Sequence, residues 1–201
     1  MKLLLTSTGF KNKKISIEFL KLVEKSPSKI KILFIPTASR TKEEWEHVNT
    51  SKEELINLGI PEKNITLFDL EREISYKEIQ EYDVMYVCGG NTFYLLKKIK
   101  EIKFDKLITT FVKDNKIFVG VSAGSIIACP DIDIASPFDE NDVGLKDIQA
   151  LHFIEDYVSP HYCKEEEPLI TTFKKTSKYK IILLTDEEAL LIKGKESKII
   201  K

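Results

Sequence analysis

The sequence is poor in arginine: Arg40 and Arg72 are the only two, and every other basic side chain is a lysine. Fork-like, bidentate recognition of a carboxylate or phosphate is therefore confined to those two positions. An excess of charge is also missing, since 31 lysines and arginines face 32 aspartates and glutamates for a formal net charge of -1. Such a balance builds no field for nucleic acid or for a membrane surface. The three cysteines (Cys88, Cys129, Cys163) are an odd number without the spacing of a disulfide framework or a zinc site. A reducing, cytoplasmic setting is expected, with no metal and no cofactor required. No apolar run approaches the roughly 20 residues of a membrane span, and Met1-Lys2 leads straight into Leu3-Leu4-Leu5 instead of a signal-peptide core. Glycine is scarce too, 8 in 201 residues, so the places where glycines gather stand out: Gly89-Gly90, and Gly120 with Gly124.

The second of these lies in Lys116-Ile117-Phe118-Val119-Gly120-Val121-Ser122-Ala123-Gly124-Ser125-Ile126-Ile127-Ala128. The β-branched and aromatic run 117–119 reads as a buried strand, and Ile126, Ile127 and Ala128 suit the start of a buried helix. Strand, sharp turn and helix around G-x-S-x-G form the nucleophile-elbow pattern. A Cβ at either glycine would collide with the crossing strand and helix. The pattern makes Ser122 the candidate nucleophile and the Ala123 N–H a candidate oxyanion donor at a helix N-terminus. Cys129 is the poorer nucleophile, because it falls inside the helix and away from the turn.

Upstream of the elbow, apolar strand-like runs alternate with helical patterns: 3–6, 30–35, 65–68 and 84–87 as strands, with helical spacing at Ile15, Phe19, Leu22 and Val23 and a capping box from Thr41 to Glu44. Strict alternation predicts one α/β domain over residues 1–201, a three-layer sandwich with a mostly parallel central sheet. Ligands are expected at the carboxyl ends of its strands. Beyond the elbow the pattern breaks into an acidic loop over 130–150, with a short strand expected at Ile132 to Ala135. The runs 181–184 and 189–192, separated by Thr185-Asp186-Glu187-Glu188, suggest a C-terminal β-hairpin, with Ile199 and Ile200 in a further strand.

A serine needs a base. Among three histidines, His47 lies mid-helix as a surface or packing residue, and His152, between Leu151 and Phe153, reads as a hydrogen-bonded structural histidine. His161 follows the strand and proline turn Tyr157-Val158-Ser159-Pro160, so its imidazole can be presented at a strand end, as Ser122 is. The third member is expected in the acidic loop, in the order Ser, Asp, His, with Asp139 first and Asp133 and Asp142 behind it. Gly89-Gly90-Asn91-Thr92 lets backbone come close: the Gly90 N–H could complete the oxyanion hole while Asn91 and Thr92 bond a peptide substrate. A phosphate cradle is the rival reading, weakened by the missing Walker lysine and G-x-G-x-x-G spacing.

Together, Gly-Gly-Asn-Thr-Phe at 89–93, Ser-Ala-Gly at 122–124 with Ala128-Cys129-Pro130 behind it, Pro160-His161 and the early Ser7-Thr8 loop resemble the dipeptidase E (α-aspartyl dipeptidase) family of serine peptidases, relatives of cyanophycinase. The resemblance covers essentially the whole chain and implies a class I glutamine amidotransferase-like (flavodoxin-like) fold. It further implies amide hydrolysis by Ser122 and His161, with Gly90 and Ala123 donating to the oxyanion, on short peptides with an N-terminal aspartate. The family binds that aspartate partly through an arginine beyond the catalytic histidine. Here the corresponding stretch reads Tyr162-Cys163-Lys164-Glu165-Glu166-Glu167-Pro168. Lys164 is the expected substitute, a point charge lacking the guanidinium fork and crowded by three glutamates. The expected partner is a small peptide, with neither nucleic acid nor membrane, and a surface homodimer fits such folds. An esterase-like hydrolase and a catalytically silent binding protein on the same fold are the alternatives.

Overall fold

The computed structural model describes residues 1–201, the Thr176 side chain apart. Strands β1 (Lys2–Thr6), β2 (Ile32–Ile35), β3 (Ile65–Leu67), β4 (Val84–Val87) and β5 (Ile117–Val121) alternate with helices α1 (Lys13–Val23), α2 (Lys42–Asn57), α3 (Tyr76–Ile79), α4 (Thr92–Glu101) and α5 (Phe104–Lys113). The short α6 (Ala123–Ile126) follows β5, and α7 (Glu167–Thr176) comes after β6 (Tyr157–Ser159). Strands β7 (Ile181–Leu183), β8 (Ala189–Lys193) and β9 (Glu196–Ile200) close the chain. A seven-stranded sheet has the order β3-β2-β4-β5-β1-β8-β9, parallel from β3 to β1 and antiparallel at β8 and β9.

The sheet is covered on both faces because its strands are apolar on both. In β1, Leu3 and Leu5 join the core under α4 and α5, while Leu4 joins the opposite core under α1 and α2, the two-residue period of a strand. Local signals hold as read. Thr41 and Glu44 form a capping box at α2. Gly59, at φ 89°, ends that helix through Gly59 N–H to Ile56 C=O (2.8 Å) and Ile60 N–H to Leu55 C=O (3.3 Å).

Two local expectations are corrected. Residues 132–135 form no strand; Asp133–Ala135 is a 3₁₀ turn, and the burial of Ile132, Ile134 and Ala135 accounts for their apolar character without extension. The C-terminal hairpin is β8 with β9, turning at Gly194 (φ 65°), instead of β7 with β8. Strand β7 leaves the main sheet and pairs in parallel with β6, so residues 184–188 are a loop between two sheets. No helix among the described residues is long and apolar enough to cross a membrane.

The elbow glycines are fixed by contact. A Cβ on Gly120 would lie 2.3 Å from the Gly124 carbonyl oxygen, and one on Gly124 would lie 2.2 Å from that of Val87. Both obstacles are backbone and cannot swing away. Gly124→Ala should therefore destabilise the fold by about 2 kcal/mol or more, lowering Tm by about 4–8 °C for a chain of this size. An unchanged melting curve would show that helix and strand can separate there.

Candidate active site

Strand β5 delivers Ser122 into a turn with φ 49° and ψ −112°, a conformation that costs a non-glycine residue about 1–3 kcal/mol. The turn is held from β1: Ser122 N–H donates to Thr6 C=O at 2.9 Å, and the buried Ser125 hydroxyl donates to the same oxygen at 2.8 Å. At the exit of β6, His161 also has a left-handed backbone (φ 60°). Its Nε2 lies 2.9 Å from Ser122 Oγ and its Nδ1 lies 2.8 Å from Asp186 Oδ1. With the carboxylate accepting from Nδ1–H, Nε2 is left as the acceptor for the serine O–H. Both His161 and Asp186 are about half exposed, so solvent reaches the line of three.

The carboxylate beside His161 is Asp186, and Asp139 lies elsewhere. Asp139 instead accepts the Thr92 N–H at 2.8 Å, an anion set against the first turn of α4. Asp142 pairs with Arg40 at 2.8 Å, and Asp133 accepts from the Ser136 hydroxyl at 3.1 Å. The chain order is thus Ser, His, Asp. Asp186 lies in Thr185-Asp186-Glu187-Glu188, between two apolar runs, a pattern that does not distinguish a hairpin turn from a loop between two sheets.

Gly90, at φ 128°, packs so tightly that a Cβ would lie 2.2 Å from Ala38 C=O, and a Cβ on Gly89 would lie 3.0 Å from that of Ser122. Among the described residues no protein acceptor takes the N–H of Gly90 or of Ala123. Asn91 is occupied structurally: its Oδ1 caps α4 through Tyr94 N–H (2.8 Å), and its Nδ2 donates to Glu140 C=O (2.8 Å). Thr92 is fully buried, away from the cavity wall. Lys164 is exposed in a 3₁₀ turn and does not line the cavity either.

A cleft of about 590 Å³ opens over Ser122, His161 and Asp186, between the β2–α2 loop and the acidic loop. Its walls include Arg40, Val48, Cys88 and Phe138. Arg40, which the sequence offered no reason to place here, pairs with Asp142 and stacks over the Tyr94 ring at 4.8 Å. Burial pushes the Cys88 thiol well above its ordinary value and that of Cys129 up to about 12, so neither carries a thiolate near neutral pH. No cluster of His, Cys, Asp and Glu able to hold a metal ion occurs among the described residues.

A hydrogen-bonded serine, histidine and aspartate at the carboxyl edge of a parallel α/β sheet is the arrangement of an acyl-transfer hydrolase. The chain belongs to peptidase family S51, whose model matches residues 3–200. It is 35% identical over 173 residues to a Listeria monocytogenes protein described as an uncharacterized peptidase, covering 82% of this chain and 83% of that one. To peptidase E of Salmonella paratyphi A it is 31% identical over 133 residues, covering 65% of this chain and 54% of that protein. In structure it resembles a Listeria monocytogenes protein described as a candidate peptidase E, with a TM-score of 0.83 at 28% identity, over 100% and 98% of the two chains. The chain is a peptidase, and its fold is that of peptidase E.

The thiols provide a direct check on the packing around the cleft. A thiol reagent under native conditions should titrate Cys163, which is exposed, and leave the buried Cys88 and Cys129 unmodified until the protein is unfolded. Rapid native modification of Cys88 would show that the cleft floor is open.

Proposed function

We propose that the chain hydrolyses short peptides as a serine-type peptidase, with Ser122 as nucleophile, His161 as general base and Asp186 as the carboxylate that orients it. The observation that carries this reading is the continuous line Ser122 Oγ, His161 and Asp186, at 2.9 and 2.8 Å, opening into the cleft. Nε2 takes the hydroxyl proton as Oγ attacks the scissile carbonyl. Charge then developing on the substrate oxygen meets the unpaired N–H groups of Gly90 and Ala123, the donors of an oxyanion hole. The imidazolium, stabilised by Asp186, returns its proton to the leaving amine, and water releases the acyl group by the same steps. Three unpaired cysteines suit a cytoplasmic setting.

Substrate direction follows from the strand order. His161 stands on the β1 side of Ser122, whereas Gly90 follows β4 and Arg40 follows β2 on the other side. A leaving amine near His161 sends the acyl residue toward Arg40. An acidic side chain there meets the arginine, whose exposed pairing with Asp142 uses one of its donors and is weak. Acidic recognition is thus assigned to Arg40, which lines the cleft, instead of Lys164, which does not.

Two experiments follow. On a dipeptide panel, Ser122→Ala should abolish release of amino acids, and Asp186→Asn should lower kcat about a thousandfold. Asp139→Asn, which keeps an acceptor for Thr92, should cost less than about tenfold; the reverse ranking would return the orienting role to the acidic loop. Separately, Arg40→Gln should raise KM for Asp-X and Glu-X peptides about tenfold or more while leaving Ala-X within about twofold. Equal effects on all substrates would remove Arg40 from recognition.

A further inference from the structure

Three consecutive residues at the exit of β1 each hold one member of the catalytic line. Thr6 C=O accepts the Ser122 N–H at 2.9 Å. Ser7 Oγ accepts the His161 N–H at 3.2 Å and donates to Leu184 C=O at 3.0 Å. Thr8 Oγ1 donates to the backbone C=O of Asp186 at 2.6 Å. The sheet produces this coincidence: Thr6 is paired with Val121 on one side and Ala189 on the other, so the strand preceding Ser122 and the strand following Asp186 flank the same residue. The turn itself is closed by Gly9 N–H to Thr6 Oγ1 at 3.0 Å.

Each contact falls where the backbone needs an external hold. Ser122 and His161 both have left-handed φ without being glycine, a state that persists only when neighbours over-determine it. Asp186 lies in a loop between two sheets, with no ladder of its own. Ser7 is fully buried, and its one hydroxyl joins the segment carrying the base to the residue from which the acid loop departs.

We infer that Ser7 and Thr8 are positioning residues: their hydroxyls set the distance between His161 and its two partners, while touching neither the substrate's reacting atoms nor the imidazole. This rests on the serine-peptidase reading above. The reason to expect a kinetic signature is that a displacement of about 1 Å in a catalytic line can cost about a hundredfold in rate, whereas Ser7 and Thr8, which also border the cleft, do so at the exit of β1, on the side of Ser122 away from Arg40.

The test uses Ser7→Ala, Thr8→Val and Thr8→Ser, with two readouts on each folded variant: kcat and KM on the best dipeptide, and the rate at which a fluorophosphonate probe labels Ser122. Ser7→Ala and Thr8→Val should each lower kcat and the labelling rate by about tenfold or more with KM within about twofold. Thr8→Ser, which keeps the donor, should restore both. Thr8 is only partly buried, so Thr8→Val retains a folded test if Ser7→Ala does not fold. Wild-type labelling in Thr8→Val, or a loss that Thr8→Ser fails to rescue, would overturn the inference. A wild-type protein labelled at Ser122 that cleaves no peptide would overturn the peptide substrate alone, with the labelling rates still deciding the role of the hydroxyls. A wild-type protein neither labelled nor active would overturn both.

Discussion

The structure turns on the register of β1, whose last residue pairs with Val121 in parallel and with Ala189 in antiparallel sense. A parallel neighbour ends where β1 ends, and an antiparallel neighbour begins there. One strand terminus therefore gathers the exit of β5 and the entry of β8, bringing Ser122 and Asp186 to the same edge although 63 residues of chain separate them. A one-residue slip of β1 would turn its leucines to the wrong cores as well as part these two side chains. Core packing and the geometry of the site are thus enforced by the same constraint.

Around the cleft, the carboxylates of Asp139, Asp142, Asp186 and Glu44 are already partnered. Asp139 is set against the N-terminus of α4, Asp142 pairs with Arg40, and Asp186 faces His161. Glu44 receives the N–H groups of Arg40 and Thr41 at 2.6 and 2.7 Å. The acidic loop that borders the cleft is consequently a structural wall. Asn91 and Asp139 fasten it to the start of α4, and Lys100 fastens it further along through Asp147. Its acidity explains how the loop is held down.

Burial keeps the two cysteines beside the site in their thiol form. Cys88 lines the cleft and Cys129 lies just behind the elbow, yet desolvation disfavours both thiolates. Ser122, by contrast, is strained and partly exposed, with the His161 imidazole in hydrogen-bond reach. Position on a turn, more than intrinsic nucleophilicity, distinguishes the three.

What could be read without coordinates was what depends on neighbours in sequence. The alternation of apolar strands and amphipathic helices, the capping box at Thr41, the glycine-framed turn at Ser122 and the presentation of His161 after a proline all rest on local sterics and periodicity. Asp186 was not legible in this way. Residues 181–183 have the apolar pattern of a strand, but that pattern does not name a partner. Pairing with Tyr157–Ser159 instead of the following strand turned an apparent hairpin bend into the loop that carries Asp186. Arg40 and Lys164 divide similarly, since which cation borders the cleft depends on where two distant loops fold. Local pattern was enough for the alternating strands and helices upstream of the elbow, for the turn at Ser122 and for the placement of His161 at a strand end; the carboxylate beside His161 and the cation bordering the cleft were decided by tertiary structure, because strand pairing and loop packing are set by contacts between segments that no local pattern specifies.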